Sequence, residues 1–291
     1  MSGITLTRAG PLTTLQDGGR FGMLAHGISA SGPMDGRAFA EAGALLGRAG
    51  ATGIEVTRAG LGLVADGPLG AAVAGGAFTL TVNGETQAWP ARLGLKPGDA
   101  VEITPGAAGN YGYVRFDREM DVPQLLGSRS TNVTVGLGGF KGRALRAGDR
   151  IGFLGEGQAI ISRPALPGPD DGAIRVIWGI HADLFHPAIR RRFVEEPFEV
   201  SQGLDRMGVR LLDRDGVFHD QKRLSLVSDA IVPGDIQILG DGTPIVLMRD
   251  HQPTGGYPRI ATVVSADFDR FAQLRPGADV RFRPVTVEHA R

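Results

Sequence analysis

Glycine and proline crowd this chain. With 45 Gly and 18 Pro in 291 residues, they fill more than a fifth of it, against roughly 7 % and 5 % in ordinary proteins. Neither sits comfortably inside a helix or a central strand. The chain is therefore expected to consist of short elements joined by many tight turns. The glycines follow no three-residue period, which excludes a collagen-like rod. The 42 % hydrophobic content supports packed cores rather than disorder. At this length two domains are expected.

Thirty-one basic and 31 acidic residues leave a net charge of +0, so no global field favours nucleic acid or a membrane surface. Lysine occurs only at Lys96, Lys141 and Lys222; anion sites here must be built mainly from Arg forks. The absence of Cys excludes disulfides, Cys–zinc sites and thiol nucleophiles. The first ten residues carry no apolar signal region, and no stretch approaches about 18 unbroken apolar residues. A cytoplasmic, soluble location is expected.

Alternation and β-branched residues predict strands at 4–7, 53–58, 78–82, 100–103, 111–116, 151–153, 173–178, 198–200, 208–212, 224–227, 235–239, 244–248, 261–264 and 279–283. Asn83-Gly84 and Gly240-Asp241-Gly242 read as hairpin turns needing positive φ. Three short helices are expected. One covers 36–46 with Asp35 as cap, one runs from Pro187 to about Glu195, and one covers 266–273 with Ser265 as cap. The segment 145–153 (LRAGDRIGF) resembles 274–282 (LRPGADVRF), with a shorter copy at 95–103 (LKPGDAVEI); each reads as a turn feeding a strand. The pattern is common in β-proteins, and it also fits two similar β-domains. The Pro/Gly run 163–172 is the natural linker. The expected layout is mainly β: a first barrel domain over 1–162, a linker over 163–172 and a second barrel domain over 173–291.

Phosphate-binding loops, zinc-protease helices and nucleophile elbows are absent from the sequence. The six His do not cluster, so no metal ligands are expected. No biotin-attachment site exists. Four polar clusters remain. The first is PLTTLQDGGR, Pro11 to Arg20, followed by His26 and SGPMD, Ser31 to Asp35. It also reads as a turn with an Asp–Arg pair and a helix cap. The second is GSRST, Gly127 to Thr131, followed by the glycine-rich run 136–142 with Lys141. It reads as an anion cradle or as an exposed loop. The third is Asp205-Arg206-Met207-Gly208, which also serves as a plain turn into a strand. The fourth runs from Met248 to Pro258 (MRDHQPTGGYP), at the end of an apolar strand. There His251 suits acid–base work near neutral pH or a simple loop role.

Together with GDIQ, Gly234 to Gln237, these runs resemble the carboxyltransferase-like family named after allophanate hydrolase subunit 2. They span almost the whole chain in order. Members include the C-type component of bacterial 5-oxoprolinase, to which the sequence is nearest, the KipA antagonist of a sporulation-kinase inhibitor, and part of the carboxyltransferase domain of urea amidolyase. The resemblance implies two tandem cyclophilin-like β-barrels. It implies one subunit of a complex that opens 5-oxoproline to L-glutamate at the expense of ATP, with or without Mg²⁺ as a further cofactor. The implied partners are a KipI-like sister protein (the B type), a LamB/YcsF-like sister protein (the A type) and a small-molecule substrate. Neither nucleic acid nor membrane is expected as a partner. Two alternatives stay open: part of a biotin-dependent carboxyltransferase acting on urea or a similar amide, and a regulatory module binding a KipI-like partner. In the 5-oxoprolinase reading Arg20, Arg129 and Arg206 grip anionic groups. Asp17, Asp35 and Asp250 orient a proton transfer or a Mg²⁺. Gln16, Ser130, Gln252, Thr254 and Tyr257 hold substrate by neutral hydrogen bonds. The sequence departs from the family at Asp205, where Asn is usual, at His251 and Pro253, and in the run 42–48. These departures put the substrate in question.

Overall fold

A computed structural model describes residues 2–159, 172–220 and 226–290. Among the described residues strands make up 43 %, with three α-helices. The chain divides into two compact units: Met1–Gly22 with Ala30–Ala165, and Met23–Ser29 with Leu166–Arg291. Except for Gly172, the expected linker lies outside the described residues. So do residues 224 and 225 of the expected strand 224–227; its other two positions are not strand. The mainly-β, barrel-type class is as expected: one unit is a half-barrel and the other a nearly closed barrel.

The first unit is organised by one long antiparallel pair of strands (below, the long hairpin, though two short strands intervene in the chain), Leu69–Val82 against Ala100–Phe116. The latter strand also pairs with Leu61–Ala65 and with Gly53–Thr57, and Gly53–Thr57 pairs with Thr14–Gln16. Gly3–Ala9 joins Leu61–Ala65 to Arg150–Glu156. Sequence alternation missed Leu61–Ala65 and the first half of Leu69–Val82. Leu61, Leu63, Ala71, Ala72, Val73 and Ala74 are all buried, so both faces are apolar and no alternation appears. The Asn83-Gly84 turn has positive φ at both residues (52° and 84°), as a two-residue hairpin loop demands.

The repeated turn is real. Asp149 N–H donates to Arg146 O, Ala278 N–H to Arg275 O, and Asp99 N–H to Lys96 O, at 3.0–3.1 Å. The third residue is glycine each time, Gly148, Gly277 and Gly98, at φ 87°. That angle suits the third position of a type II turn.

The second unit is an eight-stranded sheet. It runs from Asp279–Val280 through Phe198–Leu204, Gly208–Leu212, Pro244–Leu247, Asp235–Ile238, Arg259–Val263 and Ile174–Trp178 to Phe282–Pro284. Its two edge strands are successive pieces of the stretch 279–284, so one short segment bridges both ends of the sheet and brings the barrel close to closure. Inside, Phe193 of α2 (Pro187–Glu195) stacks on Phe282 at 5.0 Å and packs against Phe198 and Phe218. Each such fully buried side chain contributes roughly 1.5–3 kcal/mol. Helix α2 opens as expected, with Pro187 first and the His186 ring accepting from Ala188 N–H. Helix α3 (Ser265–Ala272) begins one residue early: Val264 is the cap, and Ser265, expected to cap, is the first helical residue.

Helix α1 (Gly36–Leu46) is capped by Asp35, which accepts from Ala38 N–H at 2.9 Å. Its buried face lies on the long hairpin, over Arg115. That guanidinium donates to Phe39 O and Gly50 O and sits 4.3 Å over the Phe39 ring. Burial lowers its pKa to about 10, opposed by the charge of Glu119. A Cβ at Gly43 would lie 2.4 Å from Arg115 Nη1. In a free helix Gly→Ala gains about 1 kcal/mol. Here Gly43→Ala is expected to lose about 1–3 kcal/mol by overpacking, lowering Tm in a thermal melt. In an Arg115→Met background the loss should shrink or reverse; an equal loss in both backgrounds would contradict the fit.

Candidate functional site

In the first unit the polar loops are tied together by one carboxylate. Asp17 follows the buried strand Thr14–Gln16 and is itself buried. It accepts from Ser128 Oγ (2.6 Å), Ser130 Oγ (2.7 Å), Arg129 N–H (2.6 Å) and Gly19 N–H (2.9 Å). Its own N–H donates to Ser130 Oγ at 3.0 Å. Burial by itself would raise its pKa; the four hydrogen bonds outweigh that and hold it below 3.8. A carboxylate so held takes no proton near neutral pH.

Arg20 completes the clamp. Its guanidinium donates to Leu125 O, Ser128 O and Ser130 O at 2.9–3.3 Å. Gln16 donates to Thr131 O and accepts from Gly32 N–H, drawing the SGPMD turn to the same place. Ser31 in that turn has φ 56° and is buried. The structure thus brings Gln16, Asp17, Arg20, Ser130 and Arg129 together, with Asp35 just beyond. Arg129 is anchored through Nε to Val122 O and lies 3.9 Å from Glu119.

Sequence reasoning missed Glu55 and Tyr113. Glu55, fully buried, accepts from Tyr113 Oη (2.9 Å) and Met34 N–H (2.8 Å), while Tyr113 Oη accepts from Asp35 N–H (2.8 Å). Burial, then the charges of Glu55 and Asp35, raise the Tyr113 pKa well above 10. The available signal was a lone Glu inside the apolar strand Gly53–Thr57.

In the second unit Arg206 and Asp250 form a two-pronged ion pair at 2.8 and 3.0 Å, with side chains 3 % and 2 % exposed. Asp250 is therefore a structural anchor here, like Asp17 and the cap Asp35. Beside it, His251 is buried and its Nδ1 lies 2.6 Å from Gln252 O. Burial lowers its pKa, against the opposing effects of that contact, Asp235 and Asp250. Gln252, Thr254 and Tyr257 face solvent, as ligand-gripping residues would.

A second charged cluster, built on buried Arg259 and Asp235, went unrecognised in the sequence. Arg259 pairs with Asp229 (2.6 Å) and Asp235 (3.4 Å), and Thr262 Oγ donates to Asp235. A concavity of about 440 Å³ nearby is lined by Ile177, Val232, Arg249, Thr262, Ser265 and Phe268; none of them was expected as a site residue. Among the described residues no group of three or more His, Asp or Glu is placed to hold a metal ion. No helix among them is long and apolar enough to cross a membrane.

In the run 136–142 the N–H groups of Leu137, Gly139 and Gly142 donate to Asn132 O, Arg129 O and Gly138 O. A Cβ at Gly138, Gly139 or Gly142 would lie within 2.1 Å of Ser130 O, Thr131 Oγ1 or Gly136 O respectively. At these three glycines the protein's own chain takes the place of a side chain.

Comparison with known proteins follows the same lines. The family model described as carboxyltransferase domain, subdomain A and B, matches residues 26–284. The C-type component of Escherichia coli 5-oxoprolinase is 33 % identical over 99 % of this chain and 93 % of that protein. Its counterpart in Haemophilus influenzae is 31 % identical over 95 % and 89 %. The crystal structure of Kluyveromyces lactis urea amidolyase superposes with a TM-score of 0.88 at 26 % identity, covering 99 % of this chain and 19 % of that one.

Asp17 carries the first-unit prediction. Its pKa is depressed in the folded state, so its stabilisation is complete above the ordinary value of 3.8 and fades as pH falls through the lower folded value. Asp17→Asn should cost about 2–4 kcal/mol at pH 7. In urea titrations the gap between the two proteins should narrow below about pH 4. A gap independent of pH would contradict the clamp.

Proposed function

The chain belongs to the carboxyltransferase domain family, and on that premise we propose that it is the C-type component of an ATP-dependent 5-oxoprolinase. The observation that carries the reading is identity running through 93 % of a protein of that name. The site chemistry supports it: solvent-facing Gln252, Thr254 and Tyr257 offer neutral hydrogen bonds suited to a lactam.

An unactivated lactam is a poor electrophile, and ATP serves to activate its carbonyl. The N–H groups of Leu137, Gly139 and Gly142 in the glycine-rich run already donate within the protein, so in this reading ATP binds on a partner, together with any Mg²⁺. This chain's part is to hold the substrate. Asp17, Asp35 and Asp250 keep the binding loops in place rather than shuttle protons. The partners are two sister proteins, one KipI-like and one LamB/YcsF-like.

The likeness to urea amidolyase favours a second reading, carboxyl transfer from biotin to urea or another amide. One assay separates the two. Phosphate release is measured with the chain alone and with both sister proteins from the same genome. The chain alone should be inactive, and the mixture should release phosphate only when 5-oxoproline is present. Turnover by the chain alone would overturn the reading of this protein as one part of a complex. Biotin-dependent urea carboxylation with no response to 5-oxoproline would favour the second.

A further inference from the structure

Gln237 lies on the central strand Asp235–Ile238 of the second unit, at a bulge in its pairing with Arg259–Val263. Bulges re-aim side chains. It is 1 % exposed, yet its Nε2 has no hydrogen-bond partner among the described residues. An orphaned buried amide costs roughly 1–3 kcal/mol, a cost that a bound acceptor would remove.

The amide lies against the loop that carries Thr254 and Tyr257. A Cβ at Gly255 would come within 2.4 Å of Nε2, so the amide occupies the place a side chain there would take. Gly255 belongs to a two-stranded ribbon with Asp229–Ala230. Two positions back on the same strand, Asp235 shares Arg259 with Asp229. Arg206 is neutralised by Asp250, and His251 is held towards its neutral form. The surroundings thus carry more carboxylates than cations, which disfavours an anionic ligand. An N–H donor in such a place calls for a neutral acceptor.

We propose that the Gln237 carboxamide is a substrate-binding group, donating through Nε2 to the neutral carbonyl oxygen of a lactam or ureido ligand seated beside Thr254–Gly255. The assignment deepens the amide-substrate reading and rests on it. This group selects the carbonyl.

The test uses the intact chain, ¹⁵N-labelled, with the Gln237 side-chain NH₂ signals identified by their loss in Gln237→Met. Titration with 2-pyrrolidinone or urea should move those signals saturably; acetate and phosphate should not. Gln237→Met should weaken binding of the carbonyl probes about fivefold, the size of one neutral hydrogen bond. It should melt at or above the wild-type temperature, because an unsatisfied amide has been replaced by an apolar group of similar length. Signals that ignore both carbonyl probes, or respond to the anions instead, would overturn the assignment. So would unchanged affinity in Gln237→Met, or a Tm lowered by several degrees, which would mark a structural role. If the carbonyl probes bind as described but the reconstituted complex ignores 5-oxoproline, the Gln237 assignment stands and the 5-oxoprolinase reading falls.

Discussion

Four donors converge on the Asp17 carboxylate, and the polar half of the first unit hangs from them. A buried negative charge is tolerable only when hydrogen bonds replace the water it has lost. Three of those donors come from more than a hundred residues away, at Ser128, Arg129 and Ser130. Their convergence fixes the GSRST loop against the strand Thr14–Gln16. Arg20 closes the arrangement from the other side by taking three carbonyls of the same loop region. The glycines of 136–142 then let a further loop press onto Ser130 and Thr131 at distances no other residue allows.

The second unit solves a similar problem with ion pairs. Arg206 and Asp250 neutralise each other inside the protein, and Arg259 is shared by Asp229 and Asp235. A buried pair of this kind adds little net stability. Removing one partner, however, strands a charge and costs several kcal/mol. Such pairs hold the loops that bear Gln252, Thr254 and Tyr257. Gln237 differs because its amide is buried without a partner among the described residues.

Much of this was legible in the sequence, for identifiable reasons. Helix α1 was readable because its apolar stripe, Asp cap and Gly stop all agree. The Asn-Gly turn was readable because few other pairs tolerate two positive φ values. Leu61–Ala65 and the start of Leu69–Val82 were not, because strands buried on both faces lose the alternation that marks them. The polar clusters were found, but the partners of their carboxylates were not. Those of Asp17 and Asp250 lie 111–113 and 44 positions away. Glu55 and Gln237 were passed over because a single polar residue in an apolar strand announces neither its burial nor its partners.

The central claim is that Asp17 and the other buried loop carboxylates hold their own loops in place. The most direct measurement is a ¹³C NMR titration of the Asp17 side-chain carboxyl in the intact chain. The account predicts a titration whose midpoint lies below the ordinary value of 3.8. An Asp17 carboxyl titrating between about pH 5 and 7, where a general acid or base would be poised, would contradict it.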